Sequence, residues 1–282
     1  TLIHDVCRIL EKPPTGKPET LIEAMINVAI SGVYVSTVGD GFKLNAWGEP
    51  QMDALQKQLK EIKFAPYVVA AFEAEQASSS HTLETTPASK IGELFHMGSG
   101  KNNYSIWKKI SDPMYLYFEL CPRGWIYQNM VNSVGLVEMA YADGVDLKQE
   151  TISPSSFDKA NRDLTKSLNR RTPFNVWAQI AIPNFTKAWQ TTAHNQTLAS
   201  EAQIVCALER YHLAHGEYPD TLDMLMPQFI EKIPHDIING QPLHYRRTSD
   251  GKFLLYSVGW NETDDGGQEV KDNALGDWVW KN

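Results

Sequence analysis

Cysteine is scarce in this chain. Cys7, Cys121 and Cys206 are the only three among 282 residues, an odd number at wide spacing, which excludes a disulfide scaffold and any Cys-rich metal motif. At most one bridge could form, and buried thiols acting as core filler are the simpler reading. Cys206 fits it, set in the apolar run Ile204 to Leu208. Positive charge is also short: 26 Lys and Arg face 34 Asp and Glu, a net charge of -8. That balance gives no basic face for displacing counterions, so nucleic acid is not an expected partner. Long apolar runs are missing too. Stretches such as Val68 to Phe72 are far short of the roughly 20 residues that cross a bilayer, so the chain itself is expected to make no membrane contact. Glycine fingerprints fail as well. Gly39-Asp40-Gly41 lacks the strand-to-helix context of a nucleotide loop, and Gly98-Ser99-Gly100 lacks the Gly-x-Ser-x-Gly spacing of a nucleophile elbow.

What is present reads as α+β, a mostly helical portion over residues 1–182 followed by a smaller mixed domain over 183–282. Thr20 with Glu23 makes a capping box, in which each side chain can take an orphan N–H of the other's turn. The helix it opens carries Leu21, Met25, Val28 and Ile30 to Val33, and Gly39-Asp40-Gly41 is expected to end it. A second helix starts near Pro50, with Met52, Leu55, Leu59 and Ile62 at helical spacing. A third is expected from Tyr67 to Ala77, stopped by Ser78-Ser79-Ser80, and a short one over Ala88 to His96. Met114 to Cys121 could be strand or helix; Arg123 to Ala142 has helical spacing, and Ser153 to Ser156 is a linker or a helix start.

Asn184 to His215 contains neither Pro nor Gly. A single helix follows, with Leu198, Ala202, Val205, Leu208 and Tyr211 as its apolar stripe and Gly216 just past its end. A small helix, Leu222 to Met226, comes before Pro227. Beyond Pro234 the period changes to two. Leu243 to Arg247 and Phe253 to Val258 flank the turn Ser249-Asp250-Gly251, and Asp277 to Trp280 makes a third strand after an acidic loop.

The order and spacing of several pieces in this last part carry a resemblance. They are Ala207-Leu208-Glu209-Arg210-Tyr211, His215-Gly216-Glu217-Tyr218-Pro219, Ile233-Pro234-His235-Asp236, Gly240-Gln241-Pro242-Leu243, and Leu255-Tyr256-Ser257-Val258-Gly259 before Asp265-Gly266-Gly267 and Asp277-Trp278-Val279-Trp280. Over residues 183–282 the chain resembles the C-terminal part of the major pseudopilin of bacterial type II secretion. The resemblance implies a long helix on a small antiparallel sheet, with calcium holding the loop before the last strand. By position it implies oxygens at Leu255 and Ser257, the side chain of Asn261, and Asp277. The family usually has aspartate where this chain has Asn261, and the inserted Asp264-Asp265 pair is expected to restore the charge or move the site. It further implies an extracytoplasmic or cell-envelope protein with protein partners or envelope components. The sequence opens at Thr1 in helical text, so either a leader was removed or the chain was cut there, and a tether upstream is the expectation that goes with the envelope reading. The loop's own chemistry points the same way: Glu262, Asp264, Asp265, Glu269, Asp272 and Asp277 face only Lys271 and Lys281, and calcium takes about six to eight hard oxygens.

A competing expectation is a metal enzyme. Glu93/His96 and Glu209/His212 are Glu-x-x-His pairs, half of a carboxylate-bridged di-iron site, with Glu23 and Glu61 as candidate further ligands. His212 and His215 could hold zinc with a third ligand, though a helix C-terminus favours cationic histidine in any case. Eight tryptophans could line a sugar or peptide surface, but core packing is their commoner use. Four sequons, at Asn103, Asn184, Asn195 and Asn261, matter only in a secreted chain.

Overall fold

A computed structural model describes residues 18–87, 90–91, 116–117, 120–169, 172–176, 178, 185–268, 270 and 272–280. Cys7, Glu93, His96 and Pro183 lie outside these, as do most of the stretches 88–96 and 114–121. The described residues are α+β, as the sequence indicates, with helices first and small antiparallel sheets after them.

Helix α1 is Leu21–Lys43. Thr20 caps it, its hydroxyl accepting from the Glu23 N–H at 3.1 Å, while the Glu23 carboxylate reaches back to the Glu19 N–H at 2.9 Å. The helix does not stop at Gly39-Asp40-Gly41 but runs on to Lys43. Those glycines are places where tryptophans lie close. A Cβ on Gly41 would fall 2.2 Å from the Trp47 ring, and one on Gly39 would touch Trp280. Trp47 Nε1 also donates to the Val38 carbonyl at 3.0 Å. Asn45, at φ 51, turns the chain away instead. Filling that space with Gly41→Ala is expected to cost about 1–3 kcal/mol, read as a lowered urea midpoint at unchanged slope. By length and composition α1 is also apolar enough to cross a bilayer, with a mean hydropathy of 1.6, although 39% of that window is buried in the protein. The short-run reading missed it because Asn27, Ser31 and Ser36 break the apolar text without changing its average.

Helices α2 (Glu49–Lys60) and α3 (Phe64–Thr85) follow. Three serines do not end α3, because none is a steric breaker. The tight turn between the two helices is fixed from outside. Gln196 accepts the Phe64 N–H at 2.9 Å and donates to the Ile62 carbonyl at 3.0 Å, satisfying the end of one helix and the start of the next. Helix α4 is Arg123–Tyr141, then β1 (Val145–Asp146) pairs antiparallel with β2 (Thr151–Ile152), a hairpin the sequence reading did not anticipate. Helix α5, Pro154–Asn169, begins at the serine cluster.

Helix α6, Phe185–His215, is the axis of the structure. It packs most extensively on α2 and α1 and also meets β4 and β5. Its burial exceeds the expected stripe: all residues from Glu201 to Leu208 are buried, which closes the helix on every side. Gly216 follows at φ 81, as a left-handed helix end requires. After a short 3-10 turn, Leu222–Leu225, the strands β3 (His244–Arg247), β4 (Phe253–Ser257) and β5 (Trp278–Val279) form an antiparallel sheet in that order. The register pairs His244 with Tyr256 and Ser257 with Trp278. One apolar cluster runs from Ala24 in α1 to Trp280 after β5, so helices and sheet share a core.

A carboxylate lid and the buried acids behind it

Between β4 and β5 the chain leaves the sheet and returns through a loop closed at its neck. Gly259, at φ 69, stands so near that a Cβ there would be 2.2 Å from the Gly276 carbonyl. Only glycine allows both this conformation and this approach. Inside the loop, the buried Asp277 carboxylate accepts the Asp265 N–H at 3.2 Å and the Gly267 N–H at 2.6 Å. Asn261 donates its side-chain NH2 to Asp265 Oδ2 at 3.0 Å and to the Leu275 carbonyl at 3.2 Å, while its Oδ1 accepts the Thr263 N–H at 3.1 Å. Asn261, Asp265 and Asp277 are therefore brought together.

The other candidates lie elsewhere in the loop or behind it. Asp264 accepts from the Gly266 N–H and the Tyr256 hydroxyl, and its second oxygen is 3.5 Å from His244 Nδ1. The amide, then the hydroxyl, hold its carboxyl below the usual range, while burial and this same bond push Tyr256 up to about 12. The Leu255 carbonyl accepts the Trp280 N–H at 3.0 Å, and Ser257 Oγ accepts the Gly259 N–H at 3.1 Å. Glu262 accepts from Ser155, at the head of α5, and Asp272 caps the turn at Ala274.

The lid fits a hard cation in kind. The two groups that the Asn261 NH2 bridges are both oxygens, one from the Asp265 carboxylate and one from the Leu275 carbonyl. Turning the Asn261 amide over would place Oδ1 beside these two oxygens in place of NH2, oxygen being the donor type that calcium takes. Loss of the Thr263 N–H bond would oppose that flip.

Behind the lid lies a feature that sequence reasoning missed. Asp236 is buried, with its oxygens accepting the Ile238 N–H at 2.9 Å and the Val258 N–H at 3.2 Å, and it also bonds Ser257. Near it on α6, Glu201 is fully buried and neither of its oxygens has a hydrogen-bond partner among the described residues. Burial first, then the Asp236 charge, push the Glu201 carboxyl well above the carboxylate range. A glutamate between Ser200 and Ala202 in an otherwise apolar stretch was the available signal, and it reads as solvated until α2 and the sheet are seen to enclose it. His194, on the same helix, packs edge-on against Trp278 at 5.1 Å, and burial holds it down to about 4, hence neutral.

Of the two Glu-x-x-His pairs only Glu209/His212 is described, Glu93 and His96 lying outside the described residues. Glu209 accepts the Tyr218 hydroxyl at 2.7 Å, and His212 stacks on that same ring at 4.5 Å. His215 stacks on Tyr211 at 4.0 Å. Glu23 is spent on its cap and Glu61 is exposed at the end of α2. Among the described residues no three of His, Cys, Asp and Glu gather as a metal group. Trp189, Trp260, Trp278 and Trp280 are core residues, and Cys121 and Cys206 are buried. No family model matches the chain, and no match was found among the curated proteins or the solved structures.

Proposed function

We propose that this chain is a non-catalytic structural or interaction protein of the extracytoplasmic space or cell envelope, tethered through a segment outside it. Its last part acts as a pseudopilin-like module whose lid takes calcium. The observation that supports this reading is the long helix α6 against a three-stranded antiparallel sheet, capped by a loop that draws Asn261, Asp265 and Asp277 together. Calcium, when bound, supplies positive charge that offsets repulsion among the loop acids and ties β4 to β5. Asp277 anchors the loop amides, Asp265 faces Asn261, and Asp264 serves the sheet through Tyr256 and His244.

Calcium titration of the chelated chain tests this. One calcium per chain is expected by calorimetry, with a dissociation constant in the roughly 0.1–1 mM range of extracellular modules. At about 100 times that constant the gain is about 2.7 kcal/mol, several degrees in melting temperature. Asp277→Asn should abolish the shift, whereas Asn261→Asp, which adds a charge at the bridging position, should tighten binding. An unchanged melting temperature at 10-fold excess over that range, in both the parent and Asn261→Asp, would sink the calcium assignment.

A further inference from the structure

Sharing no residue with the lid, α1, α3 and α4 leave an open apolar groove of about 560 Å3. Each helix turns one seam toward it: Ile22, Ile26 and Ala29 from α1, Gln76, Ser79 and Leu83 from α3, and Met130, Val134 and Val137 from α4. Steps of three and four residues on all three walls are the spacing that a fourth helix would meet. Ile22 and Ile26 are 73% and 48% exposed, so this wall is wet in the isolated chain. Ser133 Oγ, also lining the groove, is buried without a hydrogen-bond partner among the described residues.

Charge restricts what can lie there. Among the described residues the only charged one lining the groove is Glu75, whose carboxylate accepts the Leu21 N–H at 3.1 Å, and no described Lys or Arg lines it. Glu23 stands beside Ile22 in the first turn of α1. Glu73 and Glu138 lie near enough to Tyr141, the ring stacked on Phe72, to push its hydroxyl upward after burial has done so. A second copy of this chain would bring the same acids face to face, at a cost in repulsion.

We propose that this groove receives an amphipathic α-helix of a partner protein whose apolar face is flanked by lysine or arginine. The apolar face fills the three seams, a flanking cation meets Glu75, and polar groups at the edge satisfy Ser133. This deepens the interaction role proposed above, but uses residues remote from the lid, so either can fail alone.

The probe is a labelled 16-residue peptide of leucine and lysine with every leucine on one helical face, titrated by anisotropy into the full chain. Binding at one peptide per chain with a micromolar constant is expected. It should weaken at least tenfold in the Ile22→Ser/Ile26→Ser double variant, whose positions are exposed enough to spare the fold. Glu75→Gln, which keeps the acceptor for Leu21, should weaken binding about threefold and flatten its salt dependence. Asp277→Asn should leave it unchanged, separating the groove from the lid. Equal binding of a scrambled leucine–lysine peptide, or of a leucine–glutamate peptide on the same pattern, overturns the proposal. So does saturable binding of dodecanoate with none of the helical peptide, which would make the groove a lipid site.

Discussion

Glu201→Leu is expected to melt several degrees above the parent chain at pH 8, and by a smaller margin at pH 4.5. In the folded chain the Glu201 carboxyl sits fully buried beside Asp236, with no hydrogen-bond partner for either oxygen among the described residues, and its affinity for a proton is raised well above that of an exposed glutamate. The unfolded chain releases that proton from about pH 4.5 upward, whereas the folded chain retains it. Unfolding is therefore favoured by about 1.4 kcal/mol for each pH unit between the two values. Stability linked to this group is complete below about pH 4.5 and declines as pH climbs toward the folded value. Asp236, raised chiefly by burial, pulls in the same direction. Leucine removes both the linkage and the unsatisfied oxygens, each kind of buried defect being worth about 1–3 kcal/mol. At about 2–4 °C per kcal/mol for a chain near this size, the effect is easily seen by calorimetry. Glu201→Gln separates the two contributions, since it removes this group's share of the pH slope, leaving that of Asp236, but keeps polar atoms unpaired. A leucine variant that melts lower at every pH would mean the carboxyl is held by partners that this structure lacks.

The largest loss is expected from Trp189→Ala. Its ring lies 5.7 Å from Phe72 and 5.7 Å from Phe157, with Tyr141 at 6.4 Å, and Phe72 in turn meets Phe185 edge-on at 4.8 Å. This cluster is where α3, α4, α5 and α6 meet, and Trp189 is wholly buried. Truncating a buried aromatic costs about 3–5 kcal/mol through lost transfer energy and the cavity left behind. Domains hold about 5–15 kcal/mol in total, so urea should unfold this variant at a small fraction of the parent's midpoint. Trp189→Phe should cost much less. Trp189 Nε1 has no hydrogen-bond partner, so phenylalanine forfeits volume but no polar contact. Equal losses from both substitutions would contradict this packing account.

How far these features could be read in advance depended on whether their cause was local. The helices over Glu49–Lys60 and Phe185–His215, the turn at Gly251 and the cap at Thr20 follow from neighbours a few residues apart, and each stands where the spacing puts it. Gly39 and Gly41 misled because a glycine that ends a helix and a glycine that admits a tryptophan are the same letter; Trp47 and Trp280 decide between them. The serines of α3 misled because polarity was taken as punctuation, whereas helix termination needs an unsatisfied end, and Gln196 supplies the true start from another element. In the lid, the loop and its acids were legible from charge density. The separation of Asp264 from Asp265 was not, since it depends on Tyr256 and His244 of the sheet below. Glu201 was invisible for the same reason: nothing beside it in the chain says that its other flank is covered.

That covering has a consequence for assembly. From Glu201 to Leu208 no residue of α6 reaches solvent, because α1 and α2 occupy the flank that faces away from the sheet. Filaments built by stacking protomers along a central rod need that rod bare on at least one side. Here eight residues of the rod are sheathed by its own chain, so a neighbouring subunit can grip α6 only outside Glu201 to Leu208, where Lys187 and Leu213 are exposed.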